Sequence, residues 1–315
     1  MQLWGTTAAG RIRWYCSVCH QTQTRRRPDV IRSNRYGLFV RWLIGTQTLT
    51  DIAQRYSVTL QTLNRWFLPF WTVTITPVFF HHDIDVLIID GLYVESRSSC
   101  VLIGKTPTAV THWVFVEREC YGAWRSFCCA IKAPSVVVCD GQRGMRAALR
   151  DTWPKTRIQR CIIHIYRLST GKLTRRPKTD AGYDLRLLMH ALLKVRTRRQ
   201  KRRWLRAYRT WEKHYNYFLK ERTIGQQPGK KRTWWYTHRN IRSVRALIDN
   251  AIPDLFTYIG HHEIPRSTNY VEGGINSRLK ELLHRHRGLS VHKKEVLVAT
   301  FLSRKQGQKP TRNVN

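Results

Sequence analysis

Three acidic residues stand out in a chain short of acids, two of them where carboxylates can share a divalent cation. The run VLIID90-G91 is β-branched and apolar, ends on an Asp and is followed by Gly. Fifty residues on, SVVVCD140-G141 repeats the construction. An Asp before Gly is often just a turn former. Two such strands, however, place Asp90 and Asp140 at strand ends, where their carboxylates can share divalent cations. A third acid, Glu272, lies in STNYVEGGINSRLKELL near the start of an expected helix, behind the capping cluster Ser267-Thr268-Asn269. Taken singly, Glu272 reads as a carboxylate complementing a helix dipole.

The elements that must position these acids follow from hydrophobic patterning. Residues 86–90, 110–116 and 136–139 read as short strands, and a helix is predicted to open at Gln142 and stop before Pro154. From about Ile31 to Trp71 the apolar spacing is helical. Within it, TLTDIAQRYSVTLQTLNRWF (48–67) has a helix-turn-helix pattern. Ile52, Ala53 and Tyr56 share one face, Val58 follows the turn, and Leu63 and Trp66 face inward. Ser57 takes the turn position where Gly is preferred. Thr59, Gln61, Thr62, Asn64 and Arg65 are then free to face a DNA groove, although a structural helical hairpin has the same pattern. Residues 171–258 are basic, with Leu, Trp and Tyr at helical intervals, and are predicted to form an all-helical insertion. A helix is expected from about Tyr270 to His286 and a disordered tail from Arg304.

Charge narrows the partner. The 315 residues include 56 Lys and Arg against 20 Asp and Glu, a formal net charge of +36. Such a field destabilises a compact chain through self-repulsion, and a polyanion both relieves it and gains affinity by counterion release. The run Arg25-Arg26-Arg27 adds a basic N-terminal contact. No apolar run reaches the roughly 18 residues of a membrane span, and the N-terminal residues lack the apolar centre of a signal peptide. The expectation is an intracellular chain that engages nucleic acid and no membrane.

Eight cysteines suit a reducing compartment. Cys100, Cys120, Cys128, Cys129 and Cys139 read as buried small hydrophobes. Cys16-x-x-Cys19 has zinc-knuckle spacing beside His20, but a structural site needs four ligands and the chain holds no second CxxC. Either a companion pair lies upstream of a shortened start, or the two are reduced thiols, so Zn²⁺ stays an open alternative.

In combination these motifs resemble transposases of the Mutator superfamily, in particular the bacterial insertion-sequence branch with a zinc-ribbon-like N-terminus. The resemblance runs over about residues 10–300. It is carried by Asp90-Gly91, by CD140-G141 with its helix GMRAAL, by QRC161IIH164IYR and by STNYVE272GGINSRLK, in that order. It implies an α/β (α+β) RNase H-like core with a mixed five-stranded sheet, on which Asp90, Asp140 and Glu272 bind Mg²⁺ or Mn²⁺ for two-metal phosphoryl transfer. Cys161 and His164 match the family's Cys-x-x-His signature and are expected near the centre as secondary-site residues.

The implied organisation is a zinc-knuckle-like segment (1–28), a helix-turn-helix domain (29–75), a core in two pieces (84–170 and 259–302), the insertion (171–258) and a tail (303–315). The implied partners are double-stranded DNA, as terminal inverted repeats and target, and a second copy of the chain, a homodimer or higher when active. The implied setting is bacterial, cytoplasmic and nucleoid-associated. Three alternatives remain: a helix-turn-helix regulator with structural acids, an RNase H-like nuclease, and a shortened, inactive transposase. If Glu272 lay far from the two aspartates, Glu263 or Glu281 would replace it. Asn276 and Arg278 could reach backbone phosphate. His261, His262, His284 and His286 read as phosphate contacts or exposed polar residues, and Trp124 and the Trp and Tyr residues of 204–236 as core or base-stacking side chains.

Overall fold

The computed structural model describes residues 1–24, 28–77, 83–96, 98–225 and 233–306, with the side chains of 28–30, Tyr270 and Glu272 outside the description. Arg25, Arg26 and Arg27 therefore lie outside the described residues, as does the tail from 307. Two compact units result, one covering Met1–Thr74 and the other the chain from Ile75 onward.

The first unit opens with a three-stranded antiparallel sheet, β1 (Gln2–Thr6), β2 (Ile12–Tyr15) and β3 (Thr22–Thr24), in that order. Three helices follow: α1 (Pro28–Ile44), α2 (Leu49–Arg55) and α3 (Leu60–Phe67). Thr48 caps α2 through a reciprocal capping box with Asp51, and Thr59 caps α3 by accepting the amide of Thr62 at 3.2 Å. Ser57 sits between α2 and α3 with φ of +50°, the left-handed geometry that favours Gly at that turn. Phe39, Leu43, Ile52, Leu63 and Phe67 form the core, with Phe39 edge-on to Trp71 at 4.9 Å. Tyr56 is exposed rather than inward, since it ends α2 instead of continuing it. Trp66 is only partly buried, lying under the guanidinium of Arg35.

The second unit is built on a mixed five-stranded sheet. Its strands are β4 (Val86–Glu95), β5 (Ser99–Lys105), β6 (Val110–Val116), β7 (Val136–Cys139) and β8 (Arg157–Arg160), in the spatial order β6-β5-β4-β7-β8. The first three pair antiparallel, while β7 joins β4 and β8 joins β7 in parallel. Helices α4 (Tyr121–Cys129) and α5 (Arg143–Thr152) make the crossovers that parallel pairing requires. Side-chain alternation sorts the two faces. Leu87, Ile89, Val137 and Cys139 pack with Trp124, Phe127 and Met145 of the crossover helices.

Val86, Ile88, Val136 and Val138 pack on the opposite face with α6 (Ile162–Leu173), α7 (Asp180–Leu192), α8 (Arg198–His214) and later helices. The chain then runs through α9 (Asn216–Lys220), β9 (Arg222–Ile224), β10 (Trp234–Tyr236) and α10 (Arg239–Ala251). The antiparallel hairpin β9–β10 corrects the all-helical expectation for 171–258. Trp204, Tyr208 and Trp211 of α8 are core, their polar atoms bonded to Leu188, Asp249 and Ala181. After α10 come α11 (Asn269–Val271), a π-helical turn (Glu272–Asn276), α12 (Ser277–Arg285) and α13 (Val291–Lys305). Because α13 runs to Lys305, the start of the expected tail is helix. Cys120 and Cys129 are exposed, which corrects their assignment as buried, whereas Cys100, Cys128 and Cys139 are buried. Among the described residues no helix is long and apolar enough to cross a membrane.

Candidate active site

Parallel register brings the two aspartates together. The β4–β7 ladder pairs Ile88 with Val138. Asp90 lies two residues further along β4, and Asp140 follows the last residue of β7, so the same register continued brings both to one end of the parallel pair. Asp90 does not end its strand, as its Gly suggested. The strand continues to Glu95, and Asp90 pairs across β5 with Ile103. What ends near Asp90 is the parallel partner, β7.

Asp140 sits at that end, held from two sides. Its Oδ1 accepts the amide of Gln142 at 2.9 Å, and its carbonyl accepts from Nη2 of the buried Arg160 at 3.3 Å. Gly141 has φ of +83°, and a Cβ there would stand 2.0 Å from Nε of Arg160. Only Gly allows the turn and the approach of this cation behind Asp140.

A third carboxylate, Glu119, belongs to this neighbourhood and was missed in the sequence. It lies between β6 and α4, and a Cβ on Gly91 would meet its Oε1 at 2.0 Å. Gln142 hydrogen-bonds its side chain; burial first and the charge of Asp140 second push its carboxyl up to about 7. No strand-end pattern marks Glu119. The only available signal was an acid in the loop leaving a strand of the same sheet.

Glu272 opens the π-turn, a widened helical geometry found frequently at functional sites. Its backbone lies beside β4, because α11 packs against that strand and Val271 is buried with Val86, Ile88 and Val138. One turn on, Asn276 donates from Nδ2 to Oδ2 of Asp90 at 2.7 Å. Asn276 is 3% exposed, so the structure turns it inward and away from any phosphate backbone. The alternative acids are engaged elsewhere: Glu263 with His261, and Glu281 with Arg278 and Arg285.

Cys161 and His164 brace the segment that leads into α11. Cys161 is buried and caps α6, and its Sγ accepts at 3.4 Å from the amides of His164 and Thr268 and from the Thr268 hydroxyl. Burial pushes the thiol up, but these hydrogen bonds and His164 outweigh it, and the net shift is downward. Nδ1 of His164 lies 3.4 Å from the same hydroxyl. The amide of Ile162 donates to the carbonyl of Arg266 at 3.0 Å.

Among the described residues, no three His, Cys, Asp or Glu side chains are arranged to hold a metal ion. Asp90 and Asp140 offer hard oxygen donors of the kind Mg²⁺ uses when it keeps several waters and takes only one or two carboxylates. A cleft of about 570 Å³, lined by Asp85, Val86, Arg157 and Glu263, lies toward the other end of β4 and touches neither aspartate.

In the first unit, Cys16 and Cys19 occupy the β2–β3 turn. Backbone hydrogen bonds from Cys19 and Val18 lower the Cys16 thiol to about 7, which favours the thiolate. His20 is bonded to Tyr15. On α3, Gln61, Asn64 and Arg65 are exposed, as is the cap Thr59, and Thr62 is half-buried.

Comparison with known proteins agrees with the motifs. The family described as Transposase, Mutator family matches residues 116–222, from the end of β6 to the first residue of β9. That span contains Glu119, Asp140, Cys161 and His164 but neither Asp90 nor Glu272. A probable transposase for an insertion sequence element from Corynebacterium diphtheriae is 24% identical over 193 residues, 56% of this chain and 55% of that protein. The chain thus spans about half the length of the curated relative it matches. The first is a similarity to Mutator-family transposases and the second to an insertion-sequence transposase, the class that the order of the motifs implied.

Proposed function

We propose that this chain is a DNA transposase of an insertion sequence, with Asp90, Asp140 and Glu272 as a DDE triad on an RNase H-like core. The observation that supports the reading is the parallel pairing of β4 with β7, which ends two residues before Asp90 and Asp140, together with the bond from Asn276 of the π-turn to Asp90. The sheet order, three antiparallel strands followed by two parallel ones, supports the RNase H-like assignment.

The donor set fits Mg²⁺ or Mn²⁺, held by Asp90 and Asp140 with Glu272 as the third ligand. Two such ions, when bound, activate the attacking oxygen and stabilise the leaving one. The chain's own residues orient this chemistry. Arg160 and Gln142 fix Asp140, and Cys161, His164 and Thr268 fix the approach to the π-turn. The net charge of +36 attracts the DNA backbone. α2 and α3 serve as a helix-turn-helix, with Thr59, Gln61, Thr62, Asn64 and Arg65 toward the terminal repeats and Arg25, Arg26 and Arg27 as phosphate contacts. Joining two element ends requires at least a dimer, and the substrate places the protein with the bacterial nucleoid. Zn²⁺ on Cys16 and Cys19 would need ligands beyond these two.

Purified protein with Mg²⁺ should cleave and join oligonucleotides that carry its own element's ends. Asp90→Asn or Asp140→Asn should abolish both reactions and leave DNA binding intact. Strand transfer that survives in either variant refutes the triad.

A further inference from the structure

We infer that Asn276 is the positioning residue of the metal-binding Asp90, with its amide oxygen reserved for a water on the bound cation. The inference rests on the reading of Asp90 and Asp140 as a divalent-metal site. Three observations carry it. The Nδ2–Oδ2 contact of 2.7 Å joins residues 186 apart in sequence, so it is made only when the late helix docks on the central strand. Both partners are buried, Asp90 at 8% and Asn276 at 3% exposure, where a hydrogen bond to an ionised carboxylate is short and strong. Finally, Oδ1 of Asn276 is buried and has no hydrogen-bond partner among the described residues.

The third observation separates a site residue from a structural clasp. An unsatisfied buried carbonyl offsets much of what the bond to Asp90 contributes, so this side chain gains little for folding alone. The unpaired oxygen shares its carbonyl carbon with the nitrogen that holds Asp90, and therefore lies beside that carboxylate. Ordered water or an ion is a standard partner for such an atom. A neutral amide is suited to both tasks. It donates to Asp90 without competing for the cation, and it accepts from a metal-bound water, whose hydrogens point outward. Lys or Arg could donate as well, but its charge would repel the ion.

The test is Mn²⁺ binding to the full chain without DNA, measured by calorimetry, with unfolding in EDTA recorded for each variant. Asn276→Ala and the similarly sized Asn276→Leu should both lower Mn²⁺ affinity about tenfold, the range seen when residues behind metal ligands are removed. Their stability in EDTA should change little, because the bond lost to Asp90 and the relief of the unpaired carbonyl are of similar size and opposite sign. Having two variants guards against one failing to fold. Adding Asn276→Leu to Asp90→Asn should weaken binding no further than Asp90→Asn does alone. Full Mn²⁺ affinity in both Asn276 variants, alongside lost binding in Asp90→Asn, overturns the role of Asn276 and leaves the metal site standing. A loss of stability in EDTA that accounts for the weaker binding overturns it too, by making Asn276 structural. Full binding in Asp90→Asn and Asp140→Asn overturns the metal site itself.

Discussion

Replacing Glu119 with Gln removes a carboxylate that the fold holds in an unfavourable place. Burial against Gly91, and then the charge of Asp140, raise its folded pKa from 4.5 to about 7. The folded chain therefore keeps a proton that the unfolded chain gives up. Below pH 4.5 both states are protonated and Glu119 has no effect on stability. Between 4.5 and about 7 stability falls as pH rises, and above that the full cost is present. At ~1.4 kcal/mol per pH unit the rise corresponds to about 3 kcal/mol, and solvent screening on its open side brings this to about 2. Glu119→Gln cannot titrate. It should therefore gain about 2 kcal/mol relative to the native protein between pH 5 and pH 8. The assay is urea unfolding in EDTA at both pH values, read by pulse labelling of Cys100 and Cys139, two buried thiols of the same sheet. Equal pH dependence in the two proteins would show Glu119 ionised at its ordinary pKa and refute the crowding of acids beside Asp140.

Gly141→Ala should destabilise the second unit by about 2 kcal/mol, because φ of +83° and the guanidinium of Arg160 both oppose a Cβ; an unchanged midpoint in the same labelling assay contradicts the account. Thr268→Val removes the hydroxyl that meets Cys161 and His164, at about 1 kcal/mol. Amide exchange should accelerate across 266–276 while the β4 amides keep their protection, and uniform acceleration would deny the local brace. Ser57→Gly should stabilise the helical part of the first unit by about 0.5 kcal/mol, since φ of +50° suits Gly. A lower melting temperature for that transition would count against it.

Asp90 and Asp140 were legible because β-branched runs lead into both, and parallel pairing of those runs is what aligns them. The ends of the sheet were harder. β8 reads RIQR, and two of its polar side chains, Gln159 and Arg160, are buried. Gln159 is fully enclosed, with Nε2 donating to the carbonyl of Leu255 and Oε1 accepting the amide of Tyr258, each at 3.0 Å. Hydrophobic patterning cannot find a strand whose buried positions are polar and satisfied by distant backbone. β5 ends in Gly104-Lys105, and the short strands β9 and β10 lie within a basic, aromatic stretch that also suits helix. Glu119 and Asn276 owe their places to the sheet and to a docked helix, so neither carries a local signature. The π-turn likewise depends on how Val271 and Asn276 meet β4, which spacing does not encode.

The bond from Asn276 to Asp90 also sets a clock on biosynthesis. Asp90 leaves the ribosome early, and its partner follows 186 residues later. At translation rates of about 5–20 residues per second that gap is roughly 10–40 s. Throughout it the two aspartates have no late helix beside them, and a chain interrupted before the π-turn never acquires one. Synthesis of the segment through Asn276 thus becomes a condition for assembling the centre around Asp90. Folding of the centre around Asp90 therefore waits on synthesis of the late helix that carries Asn276.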